Sequence, residues 1–293
     1  MTATATPPSP SPTPAITDTL PDDRPAPIGE RRKLSSRILG LWAWVVYLWL
    51  FAPILVIIAF SFNKPTGKFN TAWKQFTLDN WAHPFDKPEY KDALITSLQV
   101  AAVSVLIATV IGGLMALAQS KYEFKGKGLV NVIVILPLTT PEIVMGSSLF
   151  TLFFARNVGF GFTTIVIAHV LFCVSFVALT VQARMRGFDW GLEDAAMDLG
   201  SSPLRTFWTV TFPLILPGIA AAALLSFALS IDDYIITSFV AGDATTTFPM
   251  QIFNANKVEI PPQVQVLATM ILLFTLGLMA IGAWRTIKKA ATT

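Results

Sequence analysis

The sequence predicts an all-α membrane protein of six transmembrane helices, with a charged surface helix between the fourth and fifth. Three observations carry this reading. Of 293 residues, 53% are hydrophobic and 13% charged, against about 25% charged residues in a soluble domain, and mean hydropathy is +0.60. The apolar residues gather in six runs, roughly 39–62, 93–119, 129–155, 163–181, 214–240 and 264–284. Each is near the ~20 residues that a helix needs to cross ~30 Å of hydrocarbon. Helices are the form expected, because an unpaired backbone group is costly in lipid. Positive charge, finally, alternates between the connections.

Residues 1–34 begin "MTATATPPSPSPTPAITDTLPDDRPAPIGE". A segment so rich in Pro, Ser and Thr buries too little apolar surface to offset its own ordering. It is expected to be a disordered tail and, having no apolar centre, not a signal peptide. The membrane domain then runs 35–288, with 289–293 as a second short tail. Arg24, Arg31, Arg32, Lys33 and Arg37 precede the first run; Lys121, Lys125 and Lys127 follow the second; Arg184, Arg186 and Arg205 follow the fourth; Arg285, Lys288 and Lys289 follow the sixth. That side holds 14 of the 21 Lys and Arg, so it is expected to be cytoplasmic, with both termini inside a multi-pass cell-membrane protein. The outer connection after the first run, residues 63–92, mixes both charge signs with Trp and Phe and suits a folded cap.

Several chemistries find no residues here. The single cysteine, Cys173, has no intrachain disulfide partner, and His83 and His169 have no second ligand at metal spacing. There is no GxxxxGK[ST] loop, so no ATP is expected on this chain. No basic stripe interleaved with aromatics speaks for nucleic acid. No nucleophile constellation speaks for catalysis.

The stretch "LEDAAMDLGSSPLRTFWTVTFPLILPG" interrupts the apolar pattern. Leu192, Ala195, Ala196 and Leu199 fall at i, i+3, i+4 and i+7, one stripe of a helix. Glu193, Asp194 and Asp198 occupy other faces. Gly200 stands where a left-handed residue ends a helix, and Ser201, Ser202 and Pro203 read as the start of another. Pro213 and Pro217 are expected to break the chain again as it enters the fifth run.

Here the sequence resembles the permeases of ABC importers, whose EAA motif runs EAA-x3-G-x9-I-x-LP. The match is Asp194-Ala195-Ala196, Gly200, Val210, Phe212 and Pro213, with Asp for Glu, Val for Ile and Phe for Leu. "FTLDNW", "LPLTTPEIVMG" and "ALSIDDYIITSFVAG" add a resemblance, over roughly residues 35–288, to the second permease of spermidine/putrescine importers (the PotC/PotI type). The resemblance implies a type I (MetI-like) permease fold whose coupling loop, 187–213, carries a helix that docks on an ATPase. Glu193, Asp194, Ala195, Ala196, Leu199, Gly200 and Pro203 are then the ATPase-coupling residues, with Glu193 adding carboxylate reach. Implied partners are an ATPase homodimer holding ATP and Mg, a second distinct permease, an extracytoplasmic polyamine-binding protein and the bilayer. The permease itself is implied to be non-catalytic and without cofactor. Another solute such as ferric iron, or a stand-alone secondary transporter, is the alternative.

Only Glu142, Asp232 and Asp233 bring formal charge into the runs, and carboxylates there tend to mark a pathway or a partner. Helical rise puts them roughly 20 Å into their runs, at one depth. Ser226, Ser230, Asp233 and Thr237 form a polar stripe, so Asp233 is expected to face a water-filled path and Asp232 a partner subunit or a neighbouring helix. Tyr234 is a candidate for contact with the methylene stem of a diamine. Glu142, Asp232, Asp233 and Tyr234 are thus the candidate substrate pathway.

Overall fold

The computed structural model describes the backbone of residues 31–255 and 257–290, and side chains within 38–255, 257–277 and 280–281. The expected tail lies mostly outside the described residues, although α1 already begins at Arg31. The order is α1 (Arg31–Ser61), α2 (Asp79–Ala82), α3 (Pro88–Lys121), α4 (Lys127–Thr139), α5 (Glu142–Ala155), α6 (Phe162–Met185) and α7 (Gly191–Asp198). Then come α8 (Pro203–Thr206), a π-helical turn (Phe207–Thr211), α9 (Phe212–Asp232), α10 (Ile235–Val240), α11 (Phe248–Ala255) and α12 (Pro262–Ala290). Among the described residues there is no β-strand, only two isolated bridges. The chain forms two units, up to Pro53 and from Ile54 onward; in the first, helix α1 is built from Leu, Trp and Val.

The second unit is organised on α3, α6 and α9, each of which packs on the other two. Small residues make that possible: Ala101, Ala108 and Ala116 on α3, Ala168 and Ala178 on α6 and Ala222 on α9 are fully buried. In lipid, where tails are as apolar as leucine, such residues let backbones approach and gain dispersion contacts. A smaller cluster joins Tyr90 and Leu94 of α3 to Phe248 and Ala255 of α11 and Leu267 of α12.

Four helical stretches are long and apolar enough to cross a membrane: Ile38–Ser61, Pro88–Lys121, Phe162–Met185 and Pro203–Asp232. The third run, expected as one span over 129–155 with kinks at Pro137 and Pro141, is instead two helices, α4 and α5, bent by 107°. Pro141 supplies the cause. A residue before proline is pushed out of the α region, and Thr140 sits at φ −82°, ψ 128°. The fifth run also differs, since its helix ends at Asp232 and restarts at Ile235. Conversely, Pro213 and Pro217 do not break the chain. Pro213 lies in the first turn of α9, and the π turn before it takes up the register with a bond from Phe212 N–H to the Phe207 carbonyl. Of the sixth run, Pro262–Gly277 is described as an apolar helix.

The cap after α1 is folded, as expected. Asn63 is fully buried and its amide donates to Asn70 Oδ1 (2.6 Å) and the Ala72 carbonyl (2.9 Å). Asn80 ties the carbonyls of Ser61 and Asn63. Lys87 at the head of α3 pairs with Glu259 at 2.8 Å.

Candidate functional site

Two features stand out, at different places on the fold. The first is α7, which packs on α8 and the π turn beside the C-terminal end of α3. Its end is a Schellman turn: Gly200 N–H reaches the Met197 carbonyl (2.9 Å) and Ser201 N–H the Ala196 carbonyl (3.1 Å). This geometry needs a left-handed residue, and Gly200 has φ +87°. Pro203 opens α8 at a first-turn position, where its missing N–H is not needed. The stripe read from the sequence is bare. Leu199 is 91% exposed and Leu192 46%, with Leu204 and Trp208 also exposed alongside. Fully burying a leucine is worth about 1.5–3 kcal/mol, a gain that this open face leaves unmade within the chain. Asp194 and Asp198 are exposed on the same helix.

Glu193 is placed differently from the sequence expectation. It is turned away from the open face and buried, accepting hydrogen bonds from Lys121 Nζ of α3 and Thr211 Oγ1 of the π turn. Lys121 also lies over the Trp190 ring, 5.6 Å from its centroid. Glu193 therefore fastens α7 to two elements of the core and lies off its open face. Lys121 and Thr211, which the sequence did not single out, complete that clamp. The available signal was that Glu193 stands about 100° round the helix from Leu192.

The second feature is a cavity of about 570 Å³ at the two helix interruptions. Pro141 and Glu142 line it from the α4–α5 break, and Asp232, Asp233 and Tyr234 from the α9–α10 break, over a floor that includes Phe172 and Leu229. All four candidate pathway residues thus border one space. Helices α5 and α10 meet closely here because position 146 is glycine; a Cβ there would lie 2.6 Å from the Phe239 ring. Glu142 is exposed in the first turn of α5, where the dipole favours a carboxylate. Asp232 is also exposed, but at the C-terminal end of α9, where the dipole opposes it. That is a placement helical stability alone does not reward.

Asp233 is placed differently from the sequence expectation of a side chain facing a water-filled path. Asp233 accepts from Thr237 N–H (2.8 Å), Thr237 Oγ1 (2.6 Å) and Ile236 N–H (3.3 Å), capping the restarted α10. His169 of α6 contributes Nε2 at 3.4 Å, and the Asp233 side chain is only 6% exposed. The stripe of Ser226, Ser230 and Thr237 is buried too. His169 Nδ1 meets Ser230 Oγ at 2.7 Å and Nε2 meets Thr237 Oγ1 at 2.9 Å. Thr237 donates to Asp233, so it accepts from Nε2–H of His169. This polar set closes the helix break from inside. Asp232 and Glu142 are left to face the cavity, and that arrangement can attract and hold a cation.

Residues 108–285 match the family described as the binding-protein-dependent transport system inner membrane component. The chain is 35% identical to the spermidine/putrescine transport system permease protein PotC of Haemophilus influenzae, over 82% of this chain and 92% of that protein. To the putrescine transport system permease protein PotI of Escherichia coli K12 it is 34% identical, over 85% and 92% respectively. Among solved structures, a chain of a bacterial alginate ABC transporter in complex with an alginate pentasaccharide-bound periplasmic protein is similar in fold. Its TM-score is 0.62 at 13% identity, covering 86% of this chain and 93% of that one.

Proposed function

Since this chain belongs to the family of binding-protein-dependent transport inner membrane components, we propose that it is a permease subunit of an ATP-driven ABC importer and forms half of the path by which spermidine or putrescine crosses the cell membrane. The partners are a second, distinct permease, an ATPase homodimer that holds ATP and Mg, and an external polyamine-binding protein. The lopsided Lys and Arg distribution supports a reading in which α7 and both termini face the cytoplasm. The observation that carries the reading is α7 itself, apolar and open along Leu192, Ala195 and Leu199 while clamped to α3 and the π turn through Glu193. A helix fixed at one side and bare at the other transmits the motion of whatever grips it.

In operation, closure of the ATPase pair pushes α7, and the clamp carries that displacement to α3 and through the π turn to α9. The two helix interruptions then open the cavity toward one side of the membrane and close it toward the other. Asp232 and Glu142 draw the polycation in, and Tyr234 contacts its methylenes. No covalent bond changes in this subunit. Ferric iron uptake through the same cavity is the competing outcome.

The test is uptake of labelled putrescine and spermidine by cells carrying the whole transporter, with Leu199→Glu as the variant. Leu199 is exposed, so folding is retained, while an unpaired charge in the docking face is expected to lower uptake and ATPase co-purification at least about tenfold, equal to about 1.4 kcal/mol. Unchanged uptake with the variant rejects the docking role. Uptake of iron but not polyamine rejects the substrate.

A further inference from the structure

We propose that His169 is a positioning residue for cation capture: its imidazole bridges the two sides of the α9–α10 break and so holds Asp232 toward the cavity. This inference rests on the polyamine reading above and assigns a residue that the reading leaves unused. Asp232 sits at a helix end that the backbone does not secure. Among the described residues, neither Asp233 N–H nor Tyr234 N–H returns to the last turn of α9, and the chain leaves the helix at Asp233 with φ −66°, ψ 120°. The last carbonyls of a helix have no partner within it, and an end left so frays unless something else holds it. Here side chains do. Ser230, two residues before Asp232, meets His169 Nδ1 at 2.7 Å, and Thr237, five residues after it, meets Nε2 at 2.9 Å.

The ring comes from α6, which packs on both α9 and α10, and it is 1% exposed. A buried imidazole engaged at both nitrogens is a short strut, and each tie satisfies polar atoms that would be costly to leave bare. The strut backs the cavity wall. Asp233, whose Oδ2 lies 3.4 Å from Nε2, and Phe172, whose ring centroid is 5.3 Å from that of His169, both line the cavity with Asp232. A carboxylate already aimed does not have to be ordered when the cation arrives, and affinity gains by that saving.

The experiment is an NMR titration of putrescine onto the detergent-purified transporter, with both permeases and the ATPase present and the binding protein omitted, alongside the melting temperature of each variant. The amide of Asn reaches about as far as Nδ1 and that of Gln about as far as Nε2. His169→Asn therefore keeps the Ser230 tie, His169→Gln keeps the Thr237 tie, and neither keeps the bridge. Each is expected to raise Kd roughly three- to tenfold, the range of one lost hydrogen bond. Ser230→Ala cuts the bridge on the α9 side with the ring in place and is expected to match them; it decides the matter if the His169 variants do not fold. In the Asp232→Asn background none of the three should raise Kd further, because they act through that carboxylate. A lowered melting temperature with Kd within about 1.5-fold of wild type means packing alone and overturns the proposal. So does wild-type affinity in either His169 variant, or an equal rise of Kd in both backgrounds. The parallel uptake assay keeps the failures apart: polyamine uptake by the wild type with any of these results sinks the strut alone, and no polyamine uptake sinks the reading beneath it.

Discussion

Asp232 and Asp233 are neighbours in sequence with opposite duties. Asp233 spends its carboxylate on Ile236, Thr237 and His169, whereas Asp232 is exposed beside the cavity. Asp233→Ala removes the acceptor of a buried hydrogen-bond set and is expected to destabilise the protein by about 1–3 kcal/mol, seen as a lower melting temperature in detergent. Asp232→Asn should leave that temperature unchanged and reduce polyamine uptake by about tenfold or more; the reverse pattern refutes the assignment. The three carboxylates were legible in the sequence because nothing else in the apolar runs is charged. Their facing was not. Helical phase was carried from Ser226 to Thr237 as though the helix were continuous, but the backbone leaves the helix at Asp233 and the phase is lost there.

Two elements join the ends of α3 to the rest of the second unit. At its C-terminus the Lys121–Glu193–Thr211 clamp fastens α7, which is otherwise held by little else than α8 and the π turn; the clamp is what the proposed lever requires. Glu193→Ala is expected to leave ATP hydrolysis running while uptake per ATP falls several-fold; measured together in proteoliposomes, an unchanged ratio contradicts the clamp. Gly200→Ala forces a Cβ into a left-handed turn, a strain of about 1–2 kcal/mol, and should lower uptake less severely. At the N-terminus, the Lys87–Glu259 hydrogen bond holds the Lys87 ammonium above its ordinary range and the Glu259 carboxyl below its own. The sign follows. A depressed carboxyl stabilises above its unfolded pKa and loses that as pH falls through the folded value; a raised lysine stabilises below its unfolded pKa and loses it as pH rises through the folded one. Glu259→Gln should therefore flatten the response of thermal stability to pH in both limbs, and an unaltered acid limb argues against the pair. The apolar stripe of α7 and the Gly200 turn were readable from spacing alone. The breaks were not, because Pro141 interrupts a helix while Pro213, in a first turn beside a π segment, does not; the letter is the same and the position decides.

At the scale of the molecule, composition and run length gave an all-helical membrane protein, and the fold bears that out with four long spans, a bent pair and a further apolar helix. What composition does not register is whether an apolar run is straight, since a broken helix and a continuous one bury the same residues. The two breaks gather at the one cavity that borders all four candidate pathway residues, so the parts of the fold least visible in the sequence are those nearest the proposed path. Helix α7 and that cavity belong to different parts of the core, joined by α3 and α9, and α3 alone is 34 residues long, about 50 Å. The proposed transport cycle therefore requires something outside the bundle to move α7. A photo-crosslinking residue at position 199, in membranes carrying the whole transporter, tests this most directly. The account predicts an adduct with the ATPase subunit that is strong and nucleotide-dependent; adducts only with lipid or with this chain, or labelling of that position from outside intact cells, would contradict it.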